Sequence, residues 1–242
     1  MKKSMKQYGY VLVALALAAC GGAEESGAQE ESSSASSAGG ERRREPDDGL
    51  AISGLMGTIR QDQVQNALNP RMPRFQRCFE QRMRAVELLG GDIRLAFRIR
   101  VDGTVLWVYP AESDIGDRDT ERCVLEVAAS TQFPRPSGGE AEFRWGFGLD
   151  IADGVRPPLH WQADALGRAA DAARQLGRQC QARGEGHTIT AYIAPGGALL
   201  AAGGTMPDET ATDALECILA GVRALPLPDP GSYPAKITFT VR

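Results

Sequence analysis

The sequence is poor in the residues and motifs that most enzyme chemistry uses. Only two histidines, His160 and His187, occur in 242 residues. That weighs against a histidine-rich metal site and removes many acid–base schemes. No GxSxG, HExxH or phosphate-binding glycine loop is present, so common hydrolase, zinc-peptidase and nucleotide-binding signatures are missing. No CxxC pair occurs and no histidine recurs with the cysteines, so neither a metal nor another cofactor is expected. The net charge of −4 offers no electrostatic reason to expect nucleic acid as a partner. The N-terminal apolar run, Tyr10 to Ala19, has 10 residues, where a membrane-spanning helix needs about 20. What remains is an ordinary globular balance, 43% hydrophobic and 24% charged, in a length that suits one or two domains.

The first 19 residues form a unit of their own. Lys2, Lys3 and Lys6 precede the short apolar run, which ends in small residues. This is the pattern of a secretory signal peptide over residues 1–19. A buried N-terminal helix is the alternative, but nothing downstream continues the apolar pattern. The run closes on Leu17-Ala18-Ala19-Cys20, which resembles the lipobox of bacterial lipoproteins. The resemblance implies that Cys20 is acylated and becomes the first residue of the mature protein. One acyl chain anchors marginally and two or more anchor stably; the bacterial modification supplies three. Gly21 rather than aspartate follows. By analogy with enteric sorting this implies an outer-membrane lipoprotein facing the periplasm, ahead of a cell-surface or inner-membrane location. The membrane is thus one expected partner, reached through the lipid.

Residues 20–50 read as the lipidated cysteine and a tether. After Cys20 they hold one large aliphatic residue, Leu50, and no aromatic. Such a segment cannot bury enough apolar surface to offset its ordering entropy. As a Ser/Gly-rich coil it would hold the folded part roughly 30 Å from the anchor. The Arg42-Arg43-Arg44 cluster is flanked by Glu41 and Glu45 and reads as solvated linker charge.

A repeat runs through the rest. Cys123 falls on Cys217 at an offset of 94 residues, and at that offset Leu125 meets Leu219, Pro134 meets Pro228 and Ala141 meets Ala235. Upstream, Ile99 meets Ile193, Gly103 meets Gly197 and Asp119 meets Asp213. Each copy has the same order of elements. In the first, a helix carries Phe75, Cys78, Phe79, Met83 and Val86 on one face, after breaks at Pro70 and Pro73. A strand follows with Ile93, Leu95, Phe97, Ile99 and Val101 on one side. Asp102-Gly103 marks a hairpin, and the return strand is Thr104 to Pro110. A second helix begins at Asp117 or Asp119 as N-cap and puts Cys123, Val124, Val127 and Ala128 inward. A final strand alternates through Phe143, Trp145, Phe147 and Leu149. The second copy repeats this from the seam Leu166, Ala169, Ala173, Leu176 and Cys180 onward. The expected fold is α+β: two tandem modules over 55–150 and 160–242, each α-β-β-α-β, with a three-stranded antiparallel sheet and helices on one face.

Four cysteines sort by this repeat, one on each helix: Cys78 with Cys123, and Cys180 with Cys217. All four are read as lying on inward faces. In an oxidising compartment two disulfides are expected, each contributing roughly 3–4 kcal/mol on a chain-entropy estimate. Four buried free thiols packing as small hydrophobes are the alternative.

The helix with Arg77-Cys78-Phe79-Glu80, the strand and hairpin from Gly90 to Val105, and Glu121 to Pro136 together resemble the AgmX/PglI C-terminal domain. That family occurs in myxobacterial and other deltaproteobacterial envelope proteins and belongs with the TonB C-terminal fold. The cysteine pair, the glycine of the hairpin and the Phe-Pro after the second helix are its marks. The resemblance covers about 55–150 well and 160–242 more loosely. It supplies no catalytic residues. It implies association with envelope, possibly motility, machinery through a sheet edge that accepts a partner strand. Two such modules would bind bivalently or pack together to hide an edge each. A TonB-type energy transducer also needs an inner-membrane helix and a Pro-rich rod, and the sequence shows neither.

The function expected from these features is non-enzymatic: a binding or scaffold module whose partner is an envelope protein or peptidoglycan. A structural spacer is indistinguishable from this by sequence. A periplasmic hydrolase with an unrecognised site is the alternative. Glu112 and Asp114 make a nominal carboxylate pair, but helix capping and solvated loop roles explain them better. His187 opens a strand and reads as a surface residue rather than a base.

Overall fold

Proline placement sets where the first helices start and stop. The computed structural model describes residues 56–242, so the signal peptide, Cys20 and the tether lie outside the described residues. Helix α1 (Gln61–Leu68) buries Val64 and Leu68. A single 3-10 turn carrying Pro70 follows. Helix α2 (Met72–Met83) opens with Pro73 in its first turn, where the missing N–H costs nothing. Its buried residues are Phe75, Cys78 and Phe79. The expected single helix is thus preceded by a short one.

Period-two alternation builds the first sheet. Strand β1 (Gly91–Ile99) points Ile93, Leu95, Phe97 and Ile99 at the helices, each 2% exposed or less. Val101 does not share that face; it sits in the turn and is 60% exposed. Strand β2 (Val105–Ser113) returns, α3 (Arg118–Ala129) crosses, and β3 (Ala141–Leu149) completes the sheet. Asp117 is the N-cap of α3, accepting from the Thr120 backbone N–H at 3.0 Å. The order is β2-β1-β3, antiparallel throughout.

The second half repeats the order with one addition. Strand β4 (Leu159–Trp161) comes first, then α4 (Ala169–Gln179), β5 (His187–Ile193), β6 (Leu199–Gly204), α5 (Thr212–Val222) and β7 (Ala235–Val241). The starts of β2 and β6, of α3 and α5, and of β3 and β7 are each 94 residues apart. The hairpin glycines match in conformation, with φ of +87° at Gly103 and +81° at Gly197. A Cβ on either would strike a carbonyl oxygen, of Phe133 and of Leu227 respectively, and those two residues share the same offset. Only glycine suits both positions.

The second sheet has four strands, not the expected three. Its order is β4-β7-β5-β6, with β4 parallel to β7 and the other pairs antiparallel. The molecule is therefore α+β with a three-stranded antiparallel sheet and a mixed four-stranded one.

Two hydrophobic clusters form, and each borrows from the other half. Tyr192 of β5 packs in the first cluster, while Ala96 of β1 and Tyr109 of β2 pack in the second. Both borrowed sets come from sheet faces turned away from the helices of their own half, as period two requires.

Candidate functional site: an open sheet edge beside a groove

Each half ends in a strand that pairs on one side with the central strand of its sheet. On its other side β7 is covered by β4. The outer edge of β3 carries no strand among the described residues. One contact precedes it: Thr58 and Ser137 form an antiparallel bridge, and the Gly57 N–H donates to the Glu140 carbonyl at 2.6 Å. Along the rest of this nine-residue strand no described strand takes up its outward N–H and C=O groups, an arrangement that can template another strand.

The helix-facing side of β3 is aromatic. Phe143, Trp145 and Phe147 are only half-buried, although Phe75 reaches Trp145 and Phe147 at centroid distances of 5.5 and 5.0 Å. Phe143 stacks on Phe97 at 4.8 Å. The opposite side of β3 carries Glu142, Arg144, Gly146 and Gly148. Gly146 and Gly148 stand in register with Arg94 and Asp92 of β1. Together with Glu112, Asp114, Thr188 and Thr238 they line a polar groove of about 690 Å³ between the two sheets.

The carboxylates of that groove are matched. Glu112 pairs with Arg94 at 3.3 Å and Arg144 at 3.6 Å. Asp114 accepts from the Asp92 backbone N–H at 2.6 Å and from Lys236 at 3.2 Å. Neither residue caps a helix, contrary to the sequence reading: Glu112 lies within β2, and Asp114 ties the groove floor to β7. Each carboxylate faces a cation rather than the other acid, so the two do not form a facing carboxylate pair.

A strong electrostatic perturbation lies at the seam between the halves. Glu121 of α3 is fully buried. It accepts from Ser113 Oγ at 3.0 Å, the Gly204 backbone N–H at 3.1 Å and Arg118 at 3.4 Å. Burial pushes its carboxyl up to about 7, against those three donors. Arg118 also donates to Glu216 of α5 at 2.9 Å. The next two residues after Gly204 are held as well. His187 Nδ1 lies 2.9 Å from the Thr205 carbonyl, and the Met206 N–H donates to the Pro110 carbonyl at 2.8 Å. His187 is fully buried, which corrects the expectation of a surface residue, and burial lowers its pKa. With Nδ1 donating to the carbonyl, Nε2 is left without a partner. Glu121 and His187 are both sealed from solvent, so neither can touch a substrate in this arrangement.

Tyr192 and Lys236 close the seam on the groove side. Tyr192 donates to the Gly90 carbonyl at 3.0 Å, and Lys236 donates to the same oxygen at 3.0 Å. Sequence reasoning missed this set, although one signal was available. Glu121 precedes Val124 by three residues and Ala128 by seven, which puts a carboxylate on the apolar stripe of its own helix.

The cysteines pair by half. Cys78 and Cys123 lie at disulfide distance with Cα atoms 5.6 Å apart, and so do Cys180 and Cys217, also at 5.6 Å. The inward placement holds for Cys78 and Cys180; Cys123 is half-buried and Cys217 is exposed. Cys217 follows Glu216 on the solvent side of α5, and Cys180 reaches it from the end of α4. No His/Cys/Asp/Glu cluster suited to a metal ion occurs among the described residues.

No family model, no curated protein and no solved structure matches this chain. The resemblance to the AgmX/PglI C-terminal domain therefore rests on the sequence motifs alone.

Proposed function

We propose that this chain is a periplasm-facing lipoprotein, anchored through Cys20, which acts without catalysis as a binding or scaffold module for envelope machinery. In this reading its two halves are modules of the AgmX/PglI C-terminal, TonB-like type. Its partner is an envelope protein, ahead of peptidoglycan, because a protein supplies the strand that an open edge takes up.

The observation that carries the reading is the outer edge of β3 beside the groove, which no strand covers among the described residues. Edge strands are commonly blunted by proline, lysine or a covering element. β3 contains neither proline nor lysine over its nine residues, whereas the equivalent edge in the second half is covered by β4. The sealed positions of Glu121 and His187 and the paired groove carboxylates support a non-enzymatic role.

The test is site-specific capture. A photo-crosslinking residue at Arg144, 62% exposed on β3, is expected to give a discrete adduct in the native envelope. The same residue at Arg174, 64% exposed on α4, is expected to give none. Loss of the Arg144 adduct, or equal adducts from both sites, overturns the reading.

A further inference from the structure

We propose that the outer face of α2 docks on the phosphate groups of an anionic lipid surface through Arg74, Arg77 and Arg84.

Between residues 71 and 84 the chain has five arginines and a single acid, Glu80, although its net charge is −4. The five do not share a role. Arg71 is half-buried at the start of the helix. Arg82 turns inward and is taken by two aspartates, Asp117 at 2.8 Å and Asp119 at 3.3 Å. Arg74, Arg77 and Arg84 are exposed, and none of their guanidinium groups has a partner among the described residues. Glu80 stands three residues from Arg77 and four from Arg84, the spacings at which helical ion pairs form, and pairs with neither. Arg84 keeps helical angles, with φ of −68° and ψ of −28°. At about 100° and 1.5 Å per residue, the three arginines fall within an arc of about 80° and a length of about 15 Å, with Gln81 between them. Beneath the stripe Phe75, Cys78 and Phe79 are buried, and Cys78 is bonded to Cys123 of α3. The stripe therefore rides on a helix fixed to the body of its half. The matching helix α4 is built differently, since its exposed Arg174 is paired with Asp171, one turn away.

The chemistry of the face selects its partner. A guanidinium offers paired N–H donors that match a phosphate. An acidic protein would offer carboxylates to the same donors. Protein interfaces, however, centre on buried apolar and aromatic anchors, and no large hydrophobic side chain of α2 is exposed. The same lack excludes burial of this face among acyl chains. A row of cations with nothing apolar between them suits the plane of lipid headgroups, where each arginine adds an attraction that salt screens. The proposed anchor at Cys20 supplies that surface, and to this extent the inference rests on the proposed function. It adds which face of the folded part turns to the membrane.

Vesicles test this with the full chain. A photo-crosslinking residue replaces Gln81, which is exposed on the stripe. The chain is then combined with vesicles of phosphatidylcholine alone, or of phosphatidylcholine with phosphatidylglycerol. Lipid adducts at position 81 are expected with the anionic vesicles and are expected to fade as salt is raised. Arg74→Gln, Arg77→Gln and Arg84→Gln are each expected to lower the yield by up to about fivefold, with the melting temperature unchanged. Glu80→Gln, which removes the one acid of the face, is expected to raise it. Equal adducts from neutral and anionic vesicles, or from the wild type and the triple variant, overturn the inference. A protein adduct in the native envelope without a lipid one also overturns it, and makes the face a protein interface. Retention on neutral vesicles reads the anchor alone. A chain retained there, with adducts that do not respond to anionic lipid, leaves the anchor standing and ends this inference. A chain that neutral vesicles release and anionic ones capture at position 81 does the reverse.

Discussion

The two closing strands, β3 and β7, are paired alike on their inner sides and finished differently on their outer sides. β7 is covered by β4, its helix-facing residues Ile237, Phe239 and Val241 are 3% exposed or less, and Gly177 of α4 lets the chain end at Arg242 come close. β3 has no covering strand among the described residues, and Phe75 fills the space between α2 and Trp145 and Phe147. Counted from the paired helix cysteines, Phe75 and Gly177 hold the same place, three residues before Cys78 and Cys180. One half therefore closes by backbone approach and the other by aromatic filling. Aromatic filling leaves apolar surface at an edge, which is what an incoming strand needs; close approach with a cover strand leaves none.

The largest expected effect breaks what the halves share. The bridges close loops of 45 and 37 residues, so each contributes about 4 kcal/mol on the chain-entropy estimate. Cys78→Ser with Cys123→Ser and Cys180→Ser with Cys217→Ser are expected to lower stability by nearly equal amounts in denaturant melts. Their accessibility differs, because Cys217 is exposed and Cys123 is half-buried. Under limiting reductant, alkylation and mass mapping are expected to find Cys180 and Cys217 labelled first.

The next prediction separates the two ways of closing. Phe75→Ala leaves a cavity under Trp145 and Phe147 and is expected to cost about 3–5 kcal/mol. Gly177→Ala adds a single methyl, yet that methyl would strike the Arg242 backbone, so it is expected to cost about 1–3 kcal/mol. Removing Arg242 is expected to restore most of the loss in Gly177→Ala and none of it in Phe75→Ala.

A third comparison concerns charge at equivalent positions. At the offset of 94, Glu121 answers to Leu215 and His187 to Ile93, and all four are 2% exposed or less. Each half thus replaces one core aliphatic residue with a titratable one, and both tie down the run Gly204 to Met206. The Glu121 carboxyl is raised in the fold to about 7 from 4.5. The fold therefore favours its protonated form. Its contribution is present below pH 4.5 and is lost as pH rises through 7, to the extent of about 3 kcal/mol. Glu121→Leu is expected to remove that loss when melting temperatures are compared at pH 5 and pH 9. His187 has the opposite sign. Its pKa is lowered by burial, so the fold favours the neutral ring. That contribution is present above about 6.5 and is lost as pH falls. His187→Ile is expected to flatten the acid side of the profile and leave the alkaline side unchanged.

Much of this was legible because alternation and glycine placement are local. The strands that alternate, the hairpins at Gly103 and Gly197, and an N-cap at Asp117 or Asp119 needed no tertiary knowledge, and the structure places the cap at Asp117. The seam was less legible. His187 stands in phase with Ile189, Ala191 and Ile193, so its inward direction was readable, but its burial depends on packing that sequence does not show. β4 has three residues after Pro157 and Pro158, too short to alternate visibly, and it exists because β7 offers it an edge. The resemblance implied a sheet edge that accepts a strand, but that the edge lies on β3 and lacks a cover among the described residues could not be read, since an edge is defined by what fails to pair with it.

The smallest effect tests the caps of the crossing helices. α3 begins at Asp117, and the same place ahead of α5 holds Ala211, which makes no side-chain cap. Asp117 accepts from the Thr120 backbone N–H and hydroxyl at 3.0 and 2.7 Å. It is also paired with Arg82 of α2 by two bonds of 2.9 and 2.8 Å. Burial opposes its ionisation, but the Arg82 and Thr120 bonds outweigh burial and hold the carboxyl below the usual range. Asp117→Asn keeps the cap and removes the charge, and is expected to cost about 1 kcal/mol. Asp117→Ala removes both and is expected to cost about 2 kcal/mol, the cap being worth about 1 by itself. Ala211→Asp supplies α5 with the missing acceptor and is expected to stabilise the second half by about 0.5–1 kcal/mol. A gain there with a loss at Asp117, read as opposite shifts in urea midpoint, would show that the two helices differ in their caps and not in their need for one.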